Sequence, residues 1–218
     1  LGLQNAAFYA MYAGDFSKAD ELASRVLEQD DAFVRSTVIR ALVAAHSGDS
    51  EKAANIYRSA LSGRSEHDSI LLQGLADLAI AKGDTEEALH LLDEGLAVDE
   101  QSDNPELRAN KLVIQLECEL SQGHVQVDRL RQKVDEVFNL SDSVAVIMTV
   151  ALLGPRFGIE SPQMALEKMR KKVNLHGRAY VRAIEAIVEA SEGNLGESVA
   201  KLREANQLAD LWLVRFCC

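Results

Sequence analysis

The side chains able to do chemistry are scattered along this sequence. Its five histidines lie far apart, at His46, His67, His90, His124 and His176. The densest polar cluster is Glu66-His67-Asp68, but three successive loop residues seldom converge on one metal ion. Neither the Cys-x-x-Cys nor the His-Glu-x-x-His spacing of zinc sites occurs. We therefore expect a solvated loop at 66–68 and no metal site.

Motifs for nucleophilic catalysis or phosphate binding are missing as well. The sequence contains no Gly-x-Ser-x-Gly elbow and no Gly-x-Gly-x-x-Gly loop after a strand-like run. Cys118 is expected to be a buried small hydrophobic residue, and Cys217-Cys218 make no disulfide framework. Acidic pairs such as Asp30-Asp31 and Asp99-Glu100 are expected in solvated loops. The sequence thus predicts a protein that is not an enzyme and needs no cofactor.

The charge balance restricts the partners. The formal net charge is −11, which argues against sequence-independent binding to nucleic acid or to an anionic membrane surface. The one basic cluster is Lys168, Arg170, Lys171 and Lys172, for which we expect a solvated helix face, with a docking patch for an acidic partner as the alternative. The longest apolar run, 144–154, is about half of a membrane-spanning helix, so we expect no membrane insertion. The compartment stays open, with the cytoplasm favoured over an extracytoplasmic domain of an anchored protein.

A repeat organises the positions of these side chains. Gly14-Asp15, Gly48-Asp49 and Gly83-Asp84 follow one another at spacings of 34 and 35 residues. Each pair is followed by an alanine in the same register, at Ala19, Ala53 and Ala88. Weaker copies continue at Gly123, Gly158 and Gly193. Repeats of this length indicate a chain of small stacked structural units.

Each unit is expected to contain two helices around a tight turn. Glycine suits the left-handed position that ends a helix, and aspartate suits the turn into the next one. Ala19, Leu22, Ala23 and Val26 recur at helical spacing in the second helix, and the alanine lies where the two helices are closest. We predict an all-α fold, a superhelix of about six units within one domain. Their expected bounds are 1–33, 34–67, 68–103, 104–142, 143–176 and 177–210, and 211–218 are expected to start a further helix.

This pattern resembles the tetratricopeptide repeat family, most strongly over 1–98. The turn glycine, the small residue of the second helix and the period are kept, whereas the family's aromatic early in the first helix is Leu3, Thr37 and Leu72. Stretches such as 74–79 and 205–216 also resemble repeat modules appended to bacterial Ser/Thr protein kinases. No kinase motif is present, since Gly14-Asp15-Phe16 is a repeat turn.

The resemblance implies that the first helices line a concave face that binds a partner. Carrying the repeat register across places eleven residues on or near that face, some of them expected in the core between helices. They are Gln4, Phe8, Tyr12, Arg35, Leu42, His46, Gln73, Asp77, Asn110, Glu117 and Tyr180. Such a mixed surface suits an extended peptide or a partner helix. Capture of a terminal carboxylate would need several convergent Lys, Arg or Asn side chains, and Arg35 and Asn110 are the only clear candidates.

Four functions follow in order of preference. We expect a protein-interaction scaffold that binds a protein or peptide; the alternative is a regulatory or ligand-sensing module of a larger signalling protein such as a Ser/Thr kinase. An RNA-binding repeat conflicts with the acidic balance, and a standalone enzyme lacks a catalytic constellation. The apolar stripe at 209–216 also predicts further repeats, a swapped neighbour or a homo-oligomer formed through that end.

Overall fold

Helices account for the regular structure of the chain. The computed structural model describes residues 2–63, 66–123, 126–171 and 175–208, without the side chains of 157, 175 and 176. Over these ranges the chain is all-α, with no strand, which confirms the predicted fold class. The helices are α1 (Gly2–Tyr12), α2 (Phe16–Leu27), α3 (Val34–His46), α4 (Ser50–Ala60), α5 (Asp68–Lys82), α6 (Thr85–Gln101), α7 (Pro105–Ser121), α8 (Val127–Leu140), α9 (Val144–Leu153), α10 (Ser161–Arg170), α11 (Leu175–Ser191) and α12 (Leu195–Leu208). A short 3-10 helix, Gly154–Phe157, follows α9.

The first three turns share one backbone conformation. The turn glycines have positive φ angles of 79° at Gly14, 84° at Gly48 and 79° at Gly83. The next residue, an aspartate, accepts a hydrogen bond from the backbone N–H three positions on, at 3.0 Å for Asp15, 2.9 Å for Asp49 and 3.1 Å for Asp84. Glycine adopts positive φ without steric cost, and the carboxylate satisfies a donor that the helix leaves open. The repeat detected in the sequence is therefore a repeated turn and helix cap.

The chain divides into two compact units, residues 1–111 and 112–218, and the boundary lies within α7. In the first unit, α1 packs on α2 and α3, and α3 packs on α4 and α5. Ala19, Ala53 and Ala88 are completely buried, as expected where two helices approach closely. A larger side chain at these positions would separate the helices, because protein interiors are close-packed.

Aromatic packing links successive repeats within the first unit. Tyr57 of α4 is buried in a core with Leu71 and Leu75 of α5. Its ring lies directly over Gly74, where a Cβ atom would be 2.7 Å from the ring atom Cε1. Gly74 is therefore needed for the close approach of Tyr57.

A buried ion pair joins α5, α6 and α7. The ammonium group of Lys111 lies 2.8 Å from Asp99, and both side chains are fully buried. The Ser69 hydroxyl donates to the same carboxylate, and a Cβ atom on Gly95 would be 2.6 Å from Lys111 Cε. The expectation that Asp99 belongs to a solvated loop is wrong, because α6 continues to Gln101 and carries Asp99 into the core.

Asp68 is a second carboxylate that the structure buries. It is the first residue of α5 and accepts hydrogen bonds from the backbone N–H of Ser62, at 3.0 Å, and from the Ser62 hydroxyl. The carboxylate thereby fixes the loop that enters α5. The expected solvated loop over 66–68 is therefore wrong at Asp68, whereas Glu66 and His67 are exposed.

In the second unit, Pro155 shortens a first helix. After α9 the chain continues as the 3-10 helix, because proline lacks the N–H that an α-helix needs. Gly154 is in contact with Ser161, whose hydroxyl donates to the carbonyl of Val150 at 2.8 Å. Residues 209–218, which include the expected further helix, the oligomerisation surface and Cys217-Cys218, lie outside the described residues. Cys118 is buried, as expected.

The basic cluster of the second unit divides between a partly buried Lys168 and the exposed Arg170 and Lys171, and Lys172 lies outside the described residues. Lys168 donates to the carbonyls of Phe138 and Ser141 and lies 3.0 Å from Asp142. Arg170 lies 3.3 Å from Glu185. Lys168 thus caps the end of α8 instead of lying on a solvated helix face. No helix in the described ranges is long and apolar enough to cross a membrane.

Candidate partner-binding surface

Three first helices lie side by side in the first unit. α1 packs beside α3, and α3 packs beside α5. We call their exposed surface the first-helix face and define it by Tyr12, Arg35, Leu42, His46 and Asp77, all of which are exposed. The equivalent repeat positions place Tyr12 in line with His46, and Leu42 in line with Asp77. The face therefore extends across three repeats.

The predicted site residues fall into three groups. Six are exposed, namely Tyr12, Arg35, Leu42, His46, Asp77 and Glu117. Three are half-buried, namely Phe8, Gln73 and Asn110. Gln4 and Tyr180 are buried, with 3% and 8% of their surface exposed, so we exclude both from the proposed surface. Their burial agrees with the expectation that some of the set belongs to the core between helices.

Large apolar side chains are exposed on the first-helix face. Tyr12 is 79% exposed and Leu42 is 44% exposed. Phe8 stacks on Tyr12, with ring centroids 6.2 Å apart. Phe16 stacks on His46, with ring centroids 3.9 Å apart and ring planes at 27°. Stacking limits the motion of these rings, so the face presents ordered aromatic groups beside an aliphatic one.

Charge is sparse on the two helices that carry most of this face. α1 contains no charged residue, and α3 contains Arg35, Arg40 and His46 but no acid. Arg40 donates to Asp20 of α2 at 3.0 Å. Arg35 makes no ion pair with any described residue. The helices are thus apolar to weakly basic within a unit that is acidic elsewhere.

Asp77 acts on two buried groups as well as facing solvent. Burial raises the pKa of Tyr57 to about 12, and the negative charge of Asp77 adds to the shift. Burial lowers the pKa of Lys111, while Asp99 and, more weakly, Asp77 oppose this change. Asp77 therefore belongs both to the exposed surface and to the electrostatics of the core.

The repeat is similar to a known family of helical repeats. A tetratricopeptide repeat family model matches residues 44–111. This segment is made of tetratricopeptide repeats. The family resemblance seen in the sequence is confirmed there, and the match includes α4, α5 and α6 with the Gly-Asp turns at Gly48 and Gly83. No curated protein matches the chain by sequence.

Solved structures extend the tetratricopeptide-like fold over most of the chain. BtubC (BKLC) from P. vanneervenii has a TM-score of 0.63 at 15% identity, covering 89% of this chain and 88% of that one. Pseudomonas aeruginosa pilF has a TM-score of 0.61 at 14% identity, covering 98% and 93%. PilW, a type IV pilus biogenesis factor, has a TM-score of 0.58 at 13% identity, covering 98% and 96%. Identities this low establish the fold alone, and the narrower resemblance to kinase-appended repeat modules stays a prediction.

Two aromatic residues of the first unit are not found by the sequence pattern. Phe16 occupies the position of Ser50 and Thr85 in the next repeats, so the register gave no reason to select it. Tyr9, which is 74% exposed, corresponds to the half-buried Val43 and Leu78. The stack of Phe16 on His46 joins two helices, and no spacing along the chain reveals it.

The second unit contributes a different environment. Glu117 of α7 is exposed as a side chain, yet partial burial of its carboxyl group raises its pKa, and Arg156 opposes this effect. Burial also raises the pKa of Tyr180. Glu117 thus remains a candidate surface residue, but in this unit no exposed aromatic cluster like that around Tyr12 occurs among the described side chains.

A cavity of about 470 Å³ lies on another side of the first unit. Its walls include Leu61, Leu72 and Val98, and its rim includes Glu66 and Glu94. None of the predicted surface residues lines it. No group of three potential metal ligands occurs within the described ranges. The cavity and the first-helix face are therefore separate features of these repeats.

Proposed function

We propose that this protein is a non-catalytic interaction module that binds a segment of a partner protein on the first-helix face of residues 1–111. The observation that supports this most directly is the exposure of Tyr12 and Leu42 on adjoining helices of a repeat scaffold. Exposed apolar groups that cluster on a surface mark interaction sites. The surrounding repeats hold them in place through buried alanines.

The energetics of such a face suit protein binding. Burying a large apolar side chain contributes about 1.5–3 kcal/mol. Tyrosine is enriched among the few residues that dominate binding energy. Tyr12 and Leu42 together would therefore supply a substantial part of the affinity, with polar neighbours such as His46 and Gln73 adding specificity.

Polar side chains of the kinds that serve in catalysis have other roles in this structure. Asp15, Asp49 and Asp84 cap helices, and His46 stacks on Phe16. Asp99 pairs with Lys111. These uses support binding in preference to chemistry as the function of this surface.

The test uses a cross-linked lysate of the source cells. The immobilised wild type and two immobilised double variants each capture proteins from it, and the captured sets are compared. Tyr12→Ala with Leu42→Ala removes the exposed apolar groups of the face. Leu195→Ala with Val199→Ala is the matched control, because it removes two exposed apolar groups from α12. We expect the first double variant to lose most of the retained proteins and the control to keep them.

Thermal unfolding followed by circular dichroism accompanies this comparison. Both double variants should melt within a few degrees of wild type, because the altered side chains are largely exposed. Retention of the same proteins by the Tyr12/Leu42 variant, at unchanged folding, would contradict the assigned face.

A further inference from the structure

Acidic residues are distributed unevenly within the first unit. Residues 1–111 contain 20 Asp and Glu against 10 Lys and Arg, yet α1 and α3 contain none of the acids. The acids lie in the turns, the loops and the other helices. α6 alone exposes Glu86, Glu87, Asp93, Glu94 and Glu100 and contains no Lys or Arg. The part of the first-helix face on α1 and α3 is therefore free of acids, whereas α5 carries the exposed Asp77 on the same face.

Arg35 lies on the same side of α3 as Leu42 and His46. These residues are separated by 7 and 11 positions, which places all three within about 40° around the helix axis. Arg40 points to a different side and pairs with Asp20 at 3.0 Å. Arg35 is the cation of α3 that is exposed and makes no ion pair with a described residue. It thus lies next to the apolar groups that the proposed function uses.

We infer that the partner segment is both apolar and acidic, with large apolar side chains against Tyr12 and Leu42 and a carboxylate opposite Arg35. This inference rests on the proposed function and specifies its ligand. Complementary charge contributes mainly specificity and association rate. The exposed acids of α6 would attract a basic segment and repel an acidic one. An acidic segment can instead bind beside α3, where Arg35 is exposed. The uneven charge therefore discriminates between partners by repulsion as well as attraction.

The probe is a displayed library of random 16-residue peptides, selected on the immobilised full chain. Recovered peptides are then measured by fluorescence anisotropy against wild type, the Tyr12→Ala/Leu42→Ala variant, Arg35→Glu and Arg58→Glu. Arg58 is an exposed arginine of α4, so Arg58→Glu makes the same charge change away from the first-helix face. Each peptide is also synthesised with its acidic residues replaced by lysine.

The expected binders are rich in large apolar residues and in Asp or Glu. They should lose binding to the Tyr12/Leu42 variant. Arg35→Glu should weaken them by about 3- to 10-fold, the size expected for one exposed charge contact whose sign is reversed. Arg58→Glu should change the affinity less than twofold, and the lysine peptides should bind more weakly to wild type than to Arg35→Glu.

Different failures have different meanings. Binders that depend on Tyr12 and Leu42 but are neutral or basic, and ignore Arg35→Glu, overturn the acidic ligand and leave the proposed function in place. Binders that ignore the Tyr12/Leu42 variant, or a selection without binders, overturn the proposed function. A dimer detected by light scattering that the Tyr12/Leu42 variant dissociates overturns the inference in favour of a second copy on this face.

Discussion

The two compact units achieve similar helix pairs by different means. In residues 1–111 the second helix of each pair, namely α2, α4 and α6, starts at an aspartate that follows a turn glycine and caps that helix. The first helices α3 and α5 have no such side-chain cap. In residues 112–218, α8, α9 and α10 begin without such a side-chain cap. There, Lys168 and Ser161 reach carbonyl groups that are 27 and 11 residues away. The second helices of the first unit thus start at local caps, whereas in the second unit the side chains of Lys168 and Ser161 reach carbonyl groups of other helices or loops.

The two units also differ in charge. The first has 20 acidic and 10 basic residues, whereas the second has 14 and 13. The exposed aromatic groups of the first-helix face also lie in the first unit. This difference explains why the proposed partner surface lies on the regular repeats, where equivalent positions of successive helices line up.

The largest expected effect on stability concerns the buried ion pair between Asp99 and Lys111 in the first unit. Asp99→Ala should reduce the free energy of unfolding by about 3–5 kcal/mol, because Lys111 would remain buried without its partner. Urea denaturation followed by circular dichroism at 222 nm measures this. Asp99→Asn combined with Lys111→Met removes both charges and keeps an acceptor for Ser69, so it should recover most of the loss. Equal destabilisation by Asp99→Ala and by the double variant would show that the ion pair itself is stabilising.

In the second unit, Lys168→Met should destabilise the fold by about 2 kcal/mol. The change removes charged hydrogen bonds to carbonyls at the end of α8, and one such bond contributes about 1.5–3 kcal/mol. We expect the net loss to be near that of a single bond, because Lys168 is only partly buried and methionine keeps most of the apolar contact. Chemical denaturation gives the value, and Lys171→Met, at an exposed neighbour, serves as the control. A loss no greater than that of Lys171→Met would remove the main distinction drawn between the units.

The third prediction concerns alkaline pH. Tyr57 ionises near pH 10 in the unfolded chain but at about 12 in the folded protein. Above pH 10 the unfolded state releases the proton while the folded state keeps it, so the free energy of unfolding falls as pH rises towards 12. Between pH 9 and pH 11 wild type should lose about 1.4 kcal/mol more than Tyr57→Phe. Parallel pH profiles for the two proteins would place Tyr57 outside the core described here.

The smallest effect concerns the local caps. Asp49→Ala should cost about 1 kcal/mol, because it removes one cap of an exposed helix start. Asp49→Asn keeps a side-chain oxygen and should cost little. Urea unfolding of Asp49→Ala, Asp49→Asn and Lys168→Met gives the three losses of free energy of unfolding. Comparing them shows whether a local helix cap or a cap from a distant side chain contributes more. If Asp49→Ala costs more than Lys168→Met, the regular unit depends more on its caps than we infer.

The fold could be predicted from the sequence, whereas the burial of individual side chains could not. The spacing of the turn glycines predicted the helix pairs, and the alanines predicted where helices approach. The same register selected Tyr12, Leu42 and His46, which are exposed, but also Gln4 and Tyr180, which are buried. It assigned Asp68 and Asp99 to solvated loops, although both are buried. A repeat register shows which positions of successive repeats are equivalent. The burial of a side chain at such a position depends instead on the neighbouring helices of that particular repeat.

The sequence by itself determined the turns, the helix caps and the repeat length of this protein. These features depend on contacts within a few residues, since a glycine at positive φ and a carboxylate three positions before an N–H need no distant partner. Only the tertiary structure decided that Lys111 pairs with Asp99, that Phe16 stacks on His46 and that Lys168 caps α8. Those contacts join helices that are far apart along the chain, and their formation depends on how the intervening helices pack.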